Sequence, residues 1–275
     1  MTVKLVKYEF HSIIKLMGIV WIALPAMAVI MAMFDVLNFS GRAADSPFMV
    51  DALKGITGFL YVAIFIALVV VTLLIVIVRF YKGLLRDEGY LMHTLPVKTW
   101  QLITAKGIAA VLVEIISTVV AVISILILGL SAGSLSGFWE FLKELAEAFT
   151  QQPAFIGIGL EVLILLIVMA AASNYRLYAA MAVGQLAGRH KIALSVAAYL
   201  GIGVVLMLAV SLLGTIFSTD LFSGVFEVIA DWTKGMEPTG IASAVLAVGI
   251  LSQVFLTVLF HILTEQILRR RLNLE

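Results

Sequence analysis

Residues 56–78 read ITGFLYVAIFIALVVVTLLIVIV and contain no charged side chain. A helix of about 20 apolar residues crosses the ~30 Å hydrocarbon core of a bilayer. A strand is not expected, because the run lacks the alternation of apolar and polar residues that strands show. In lipid, a helix also satisfies its backbone hydrogen bonds within the segment itself. The segment therefore predicts a transmembrane helix.

Similar apolar stretches occur along the rest of the chain. Hydrophobic residues make up 63% of the 275 residues and charged residues 13%, whereas soluble domains carry about 25% charged residues. The sequence predicts an all-α integral membrane protein in which residues 1–275 form a single transmembrane domain, with no room for a sizeable aqueous domain. The six predicted transmembrane helices cover about residues 17–36, 56–78, 103–130, 154–181, 192–217 and 241–263.

The distribution of basic residues predicts the orientation. Of the 18 Lys and Arg residues, all but Arg42, Lys54, Lys143 and Lys234 fall on the side that holds both ends of the chain. Loops on the cytoplasmic side of membrane proteins carry an excess of Lys and Arg. Both termini are therefore predicted in the cytoplasm, which requires an even number of spans. The net charge of +1 gives no reason to expect a nucleic-acid partner.

The segment before the first span has an amphipathic pattern. Its apolar and basic residues fall on different faces of a helix, which predicts that residues 1–16 form a helix in the cytoplasmic interface. The alternative is a basic flank that only sets the orientation. The apolar face holds Val3, Val6, Phe10 and Ile13, and the other face holds Lys4, Lys7 and His11.

The sequence lacks the residues that several kinds of binding site and active site require. The chain has no cysteine, which excludes disulfides and thiolate metal sites. No glycine loop is followed by lysine and a hydroxyl residue, as ATP binding by a P-loop requires. The sequence therefore predicts a chain that is not itself an enzyme and binds no metal or cofactor. The four histidines lie far apart and form no zinc motif; they are His11, His93, His190 and His261.

One acidic residue lies deep in a predicted span. Glu114 follows Ile103 by eleven residues, which places it about 16 Å into the third span. Ionisable groups inside a bilayer cost at least a few kcal/mol and often mark pathways. We therefore consider Glu114 a candidate for a substrate or proton path. The alternative is a structural carboxyl group that is protonated or hydrogen-bonded to a neighbouring helix.

The connection between the second and third spans is the most distinctive part of the sequence. Residues 86–102 read RDEGYLMHTLPVKTWQL, in which Gly89 and Pro96 predict the end of a short helix and a break. This segment resembles the corresponding loop in permease subunits of bacterial ABC type-2 transporters. In that family an acidic pair, Gly-Tyr-Leu and a Thr-Leu-Pro turn lead into the third span. Three other segments agree with the family: KLVKYEF at 4–10, AVGQLAGRHK at 182–191 and RRRLNL at 269–274.

The resemblance implies the ABC type-2 exporter fold and a subunit of a bacterial plasma-membrane transporter. Such a permease pairs with a second permease copy, for which a homodimer is expected, and with cytoplasmic ABC ATPase subunits that bind ATP and Mg. Its substrates would be exported peptides, antibiotics or other amphipathic molecules, with antibiotic resistance as a possible role, and membrane lipid would surround it. The implied ATPase contacts are Asp87, Glu88, Gly89, Tyr90 and Leu91 in the first cytoplasmic connection, and Gly184, Gln185, Arg189 and His190 in the second.

Other classes of function stay open. The charges of the first connection also fit a solvated loop that contributes little. An ion-driven secondary transporter would need interrupted helices in two halves and an ion site, which Glu114 alone does not provide. A membrane-embedded enzyme or a non-transporting membrane sensor is a further alternative. The sequence leaves open the substrate, the direction of transport and whether the permease pairs with itself.

Overall fold

The structure, a computed structural model, consists of six long helices in the part of the chain that it describes. Each is long and apolar enough to cross a membrane, and the described residues include no strand. The predicted all-α membrane fold with six spans is confirmed. The helices are α1 (Thr2–Phe39), α2 (Pro47–Leu85), α3 (Thr99–Ser131), α4 (Ala154–Gly184), α5 (Lys191–Phe217) and α6 (Pro238–Arg271). The described residues are 2–39, 47–85, 97–131, 154–187, 189–217 and 234–271, together with 137, 139, 140, 143, 144, 146, 147, 150 and 231.

The chain forms two compact units. The first comprises Met1–Arg79 and Ile108–Gln151, and the second comprises Phe80–Gly107 and Gln152–Glu275. The boundaries pass through α2 and α3, so each of these helices contributes to both units. A single transmembrane domain for residues 1–275 stays a prediction, as does the exporter fold that the resemblance implies.

The first unit has a small apolar core. Its buried residues on α1 recur at helical spacing and pack against residues of α2 and α3. Because lipid tails are as apolar as these side chains, close van der Waals packing holds the helices together rather than exclusion of water. The core residues are Ile13, Met17, Leu24 and Ala28 on α1, Tyr61 and Leu68 on α2, and Ala109 and Val113 on α3.

Polar contacts fix the direction of neighbouring helices in the first unit. Arg79, near the end of α2, donates a hydrogen bond to Ser12, near the start of α1. The Tyr61 hydroxyl lies 3.0 Å from Ser124 Oγ of α3. Farther along α2, Thr72 Oγ1 lies 3.1 Å from Ser117 Oγ. As residue numbers rise along α2, the residues that it contacts on α1 and α3 have falling numbers. Helix α2 is therefore antiparallel to both α1 and α3.

In the second unit, α4 packs against both α5 and α6. The end of α4 at Gly184 meets Ser195 near the start of α5, so these two helices are antiparallel. Ser243 of α6 donates a hydrogen bond to Glu161 of α4. Farther along both helices, the ring of Tyr175 of α4 contacts the ring of His261 of α6. The helices α4 and α6 are therefore parallel. Three consecutive helices that each cross a membrane are expected to alternate in direction in this way.

The helices extend beyond the predicted spans. For example, α2 covers Pro47–Leu85, whereas the uncharged run is 56–78. At the amino terminus, the predicted interfacial segment 1–16 is helical from Thr2, but it continues into the first span without a break. A backbone helix need not stop where charged residues begin, because its hydrogen bonds continue into the headgroup region. The location of residues 2–16 in the interface stays a prediction.

Candidate functional site

The first predicted cytoplasmic connection lies between α2 and α3. Five of the predicted contact residues, Asp87, Glu88, Gly89, Tyr90 and Leu91, lie outside the described residues. The helices on both sides are described, ending at Leu85 and resuming at Thr99. At the start of α3, the Gln101 side-chain oxygen accepts a hydrogen bond from the Lys98 backbone N–H at 3.2 Å. This bond is one half of a capping box, which fixes where α3 begins.

The second predicted connection is a tight corner between α4 and α5. Backbone bonds from Gln185 N to Ala182 O (3.1 Å) and from Leu186 N to Val183 O (3.0 Å) narrow the last turn of α4. Such i to i+3 bonds satisfy carbonyl groups that a helix end leaves without partners. His190 then adopts a φ of 61°, a left-handed conformation that is uncommon for residues other than glycine. The chain reverses direction within these few residues.

The four predicted contact residues of this corner differ in exposure. Gly184 and Gln185 are buried within the chain, whereas Arg189 and His190 are exposed. A Cβ atom on Gly184 would lie 1.9 Å from Ser195 Oγ and 2.7 Å from the Lys191 carbonyl oxygen. Gly184 therefore has a packing role in the corner, and Arg189 and His190 present their side chains outward. Contact of any of the four with an ATPase stays a prediction.

Glu114 lines a pocket in the first unit, between α2 and α3. The pocket has a volume of about 390 Å³, which falls within the range of roughly 300–1,000 Å³ of small-molecule sites. The Glu114 side chain is half-buried. Helical spacing explains the lining, because residues three and four apart share a face. The lining residues are Phe65, Leu68, Val69, Thr72 and Leu73 of α2, and Glu114, Ser117, Thr118 and Ala121 of α3.

Hydrogen bonds between three helices hold one wall of this pocket. Trp21 Nε1 of α1 donates to Ser117 Oγ of α3 at 3.0 Å. Thr72 Oγ1 of α2 lies 3.1 Å from the same oxygen and donates to the Leu68 carbonyl at 2.7 Å. Interhelical hydrogen bonds of this kind contribute about 0.6 kcal/mol on average in membranes. The wall beside Glu114 is thus tied to both neighbouring helices, and the pocket combines mostly apolar side chains with one carboxyl group and the hydroxyl groups of Thr72, Ser117 and Thr118.

An aromatic cluster in the second unit was not predicted from the sequence. The rings of Phe80 and Tyr178 stack with centroids 4.0 Å apart, and Tyr175 meets the edge of Tyr178 at 5.7 Å. On its other side Tyr175 meets the His261 ring at 5.3 Å. A Cβ atom on Gly107 would lie 2.5 Å from the Tyr175 hydroxyl oxygen. Gly107, a glycine inside an apolar helix, could have indicated a close approach by another side chain. The sequence alone does not show that this side chain is Tyr175.

Two further charged residues of α4 make contacts across helices. Glu161, which the sequence places near the outer end of the fourth span, accepts a hydrogen bond from Ser243. Arg176 donates to the hydroxyl of Tyr199 on α5 and lies 4.4 Å above the centroid of its ring. Among the described residues, no group of three or more His, Asp or Glu side chains is arranged to hold a metal ion.

Comparisons of the chain with protein-family models, with curated proteins and with solved structures find no match.

Proposed function

We propose that this chain is the membrane-spanning permease subunit of an ATP-driven ABC type-2 exporter in a bacterial plasma membrane. The observation that carries the proposal is the segment RDEGYLMHTLP at residues 86–96. Its acidic pair, its Gly-Tyr-Leu and its Thr-Leu-Pro turn are similar to the loop before the third span in that family. The helices on either side, α2 and α3, support the proposal because both are long and apolar enough to cross a membrane.

The two cytoplasmic connections would transmit the movement of the ATPase. Asp87 and Glu88 would meet basic residues of the ATPase, and Tyr90 and Leu91 would fill an apolar groove beside them. Closure of the ATPase dimer on ATP and Mg would then move spans as rigid bodies. The second connection favours such coupling. Gly184 is in close contact with α5. A displacement of the exposed Arg189 by the ATPase would therefore move α4 and α5 together.

The proposed complex contains two permease copies, expected to be identical, and cytoplasmic ATPase subunits. Its substrates would be peptides, antibiotics or other amphipathic molecules, as the family resemblance implies, and the mostly apolar pocket with its one carboxyl group beside hydroxyl side chains is compatible with such a substrate. Large exposed apolar side chains on α5, such as Met207 at 75% and Val210 at 70% exposure, would face lipid or the second permease copy. The chain itself would bind no nucleotide.

Purification of the tagged chain from its native membrane tests this proposal. We expect an ATP-binding subunit to copurify in fixed ratio and to hydrolyse ATP. The double variant Glu88→Ala with Tyr90→Ala should still fold in the membrane but lose transport driven by ATP, because the contact that couples the two subunits is removed. The matched control is Glu140→Ala with Glu144→Ala, which removes exposed charges predicted on the outer side. Normal transport in the first double variant would contradict the coupling role of residues 86–96.

An ion-driven secondary transporter is the second candidate, and the Glu114 pocket is the observation that favours it. A half-buried carboxyl group in a membrane pocket can carry a proton or a cation. The same purification separates the candidates. A chain that copurifies with no ATP-binding subunit, and whose transport in vesicles follows an ion gradient without ATP, would establish the second candidate instead of the first.

A further inference from the structure

Arg176 is a charged side chain in a membrane helix, and its contacts with the described residues bring it no opposite charge. Its Nη2 donates to the Tyr199 hydroxyl, and its guanidinium lies over the ring of the same residue. Its Nε is buried and has no hydrogen-bond partner among the described residues. Neither contact brings a negative charge, whereas cations within membranes normally pair with an anion or with backbone carbonyls, or reach the interface.

Acidic residues of the neighbouring helices are engaged elsewhere or are absent. The sequence of α5, Lys191–Phe217, contains no Asp or Glu. In α4 the acidic residue is Glu161, fifteen residues before Arg176, and it accepts a hydrogen bond from Ser243. On α6, Glu265 interacts electrostatically with His261, which packs on Tyr175 rather than on Arg176. The described residues of α4, α5 and α6 therefore supply no counter-charge for Arg176.

The position of the guanidinium along α4 indicates where that counter-charge lies. Because Gly184 packs against Ser195, distances along both helices can be counted from this contact. Arg176 lies about 12 Å before Gly184, and Tyr199 about 6 Å after Ser195, at roughly 1.5 Å per residue. Gly184 also lies beside the Lys191 carbonyl oxygen, from which Tyr199 is about 12 Å along α5, so Arg176 and Tyr199, whose side chains meet, lie at a similar level. The Arg176 guanidinium therefore lies about 6–12 Å from that end of the helix pair.

This depth coincides with the headgroup boundary of a bilayer. With 31 residues, α4 is about 46 Å long, which exceeds the ~30 Å hydrocarbon core by about 8 Å at each end when the helix is centred. A guanidinium about 6–12 Å from the helix end thus lies close to the boundary between hydrocarbon and headgroups, within reach of the lipid phosphates. Arginine suits this position because its planar group forms paired hydrogen bonds with phosphate oxygens.

We propose that Arg176 and Tyr199 form a binding site for the phosphate headgroup of an anionic phospholipid, in the leaflet on the side of the α4–α5 corner. Under the predicted orientation this is the cytoplasmic leaflet. The Tyr199 ring holds the guanidinium in place, and the exposed apolar residues of α5 on the lipid-facing surface, such as Val196 and Leu200, would contact the acyl chains. The site does not depend on the proposed transport function.

Lipid retention measured by native mass spectrometry tests the site. The purified full chain is reconstituted in nanodiscs of equimolar phosphatidylglycerol and phosphatidylcholine, and the lipids that stay bound after transfer to detergent are counted. We expect the wild type to retain phosphatidylglycerol in preference to phosphatidylcholine. Arg176→Gln should lower this preference by about tenfold or more, the effect of losing a hydrogen bond between charged groups. Arg176→Lys should lower it less, because lysine keeps the charge but not the paired hydrogen bonds.

The matched control is Arg189→Gln, which removes an exposed charge from the same corner and should leave the preference nearly unchanged. Tyr199→Phe keeps the ring and removes the hydroxyl, so it should retain phosphatidylglycerol as the wild type does. Excess inorganic phosphate should not displace the bound lipid. The proposal is overturned by equal losses in Arg176→Gln and Arg189→Gln, by a loss in Tyr199→Phe as large as that in Arg176→Gln, by displacement with phosphate, or by a wild type without preference.

Discussion

At the scale of single residues, glycine decides how closely α3 and α4 approach each other. Tyr175 is packed between Tyr178 and His261, and its hydroxyl fills the space that a side chain at Gly107 would occupy. The same approach lets the Tyr178 hydroxyl donate to the Lys106 carbonyl at 3.4 Å. Lys106, which the charge distribution assigns to the basic cytoplasmic side, is 5% exposed.

We predict that Gly107→Ala destabilises the protein by about 1–3 kcal/mol, as overpacking of a filled core does. The added methyl group would lie 2.5 Å from the Tyr175 hydroxyl oxygen and 2.7 Å from Cζ, and the neighbouring rings prevent Tyr175 from moving away. The measurement is the Tm of the purified protein in detergent. The control is Gly129→Ala on the same helix, where no atom lies within 4 Å. Equal Tm values for the two variants would contradict the packing described for Gly107.

Sequence reasoning identified some of these residues but not their partners. Glu114 could be singled out because a charge in an apolar run is visible in the sequence, and the spacing of Ser117 from Glu114 follows from helical geometry. That Ser117 bonds Trp21 across 96 residues of sequence could not be predicted, since it depends on the rotation of α1 and α3 about their axes. The Arg176–Tyr199 pair was missed for the same reason.

At the scale of helices, the number and type of elements follow from hydropathy, but the helix ends do not. The six apolar runs became six helices because lipid leaves a spanning segment no other way to satisfy its backbone. The ends are set locally: by the Lys98–Gln101 bond at the start of α3, and by the narrowed last turn of α4. Pro238 begins α6, where its missing N–H costs no helical hydrogen bond.

The corner between α4 and α5 is the element most sensitive to a small change. We predict that Gly184→Ala lowers the Tm and the yield of folded protein, because two of the three nearest atoms, the Lys191 carbonyl oxygen at 2.7 Å and Ser195 Cα at 2.9 Å, belong to the backbone of α5. Adding Ser195→Ala should not restore stability, since those backbone atoms remain. The control is Gly203→Ala, which has no atom within 4 Å. A Tm for Gly184→Ala close to that of the control would contradict the close packing of this corner.

At the scale of the whole molecule, the sequence predicts an asymmetry between the two faces of the membrane. The basic residues and the two connections at residues 86–98 and 185–190 are assigned to the cytoplasmic face, where an ATPase could reach both. Lipid around the spans explains why apolar residues such as Leu251, at 68% exposure, are tolerated on the surface, because lipid tails are themselves apolar. Function is less visible than fold because lipid-facing residues need only be apolar, so the spans carry little information about a substrate.

Site-specific photo-crosslinking in living cells tests most directly whether this chain works with an ATPase. A photoreactive amino acid replaces Tyr90 in the first connection or His190 in the second, and the control replaces Lys143 on the predicted outer side. We expect both cytoplasmic positions to capture the same ATP-binding protein, identified by mass spectrometry, and position 143 not to capture it. Capture of no ATP-binding protein at positions 90 and 190, or its capture at position 143, would contradict the proposed role of the chain as a permease subunit.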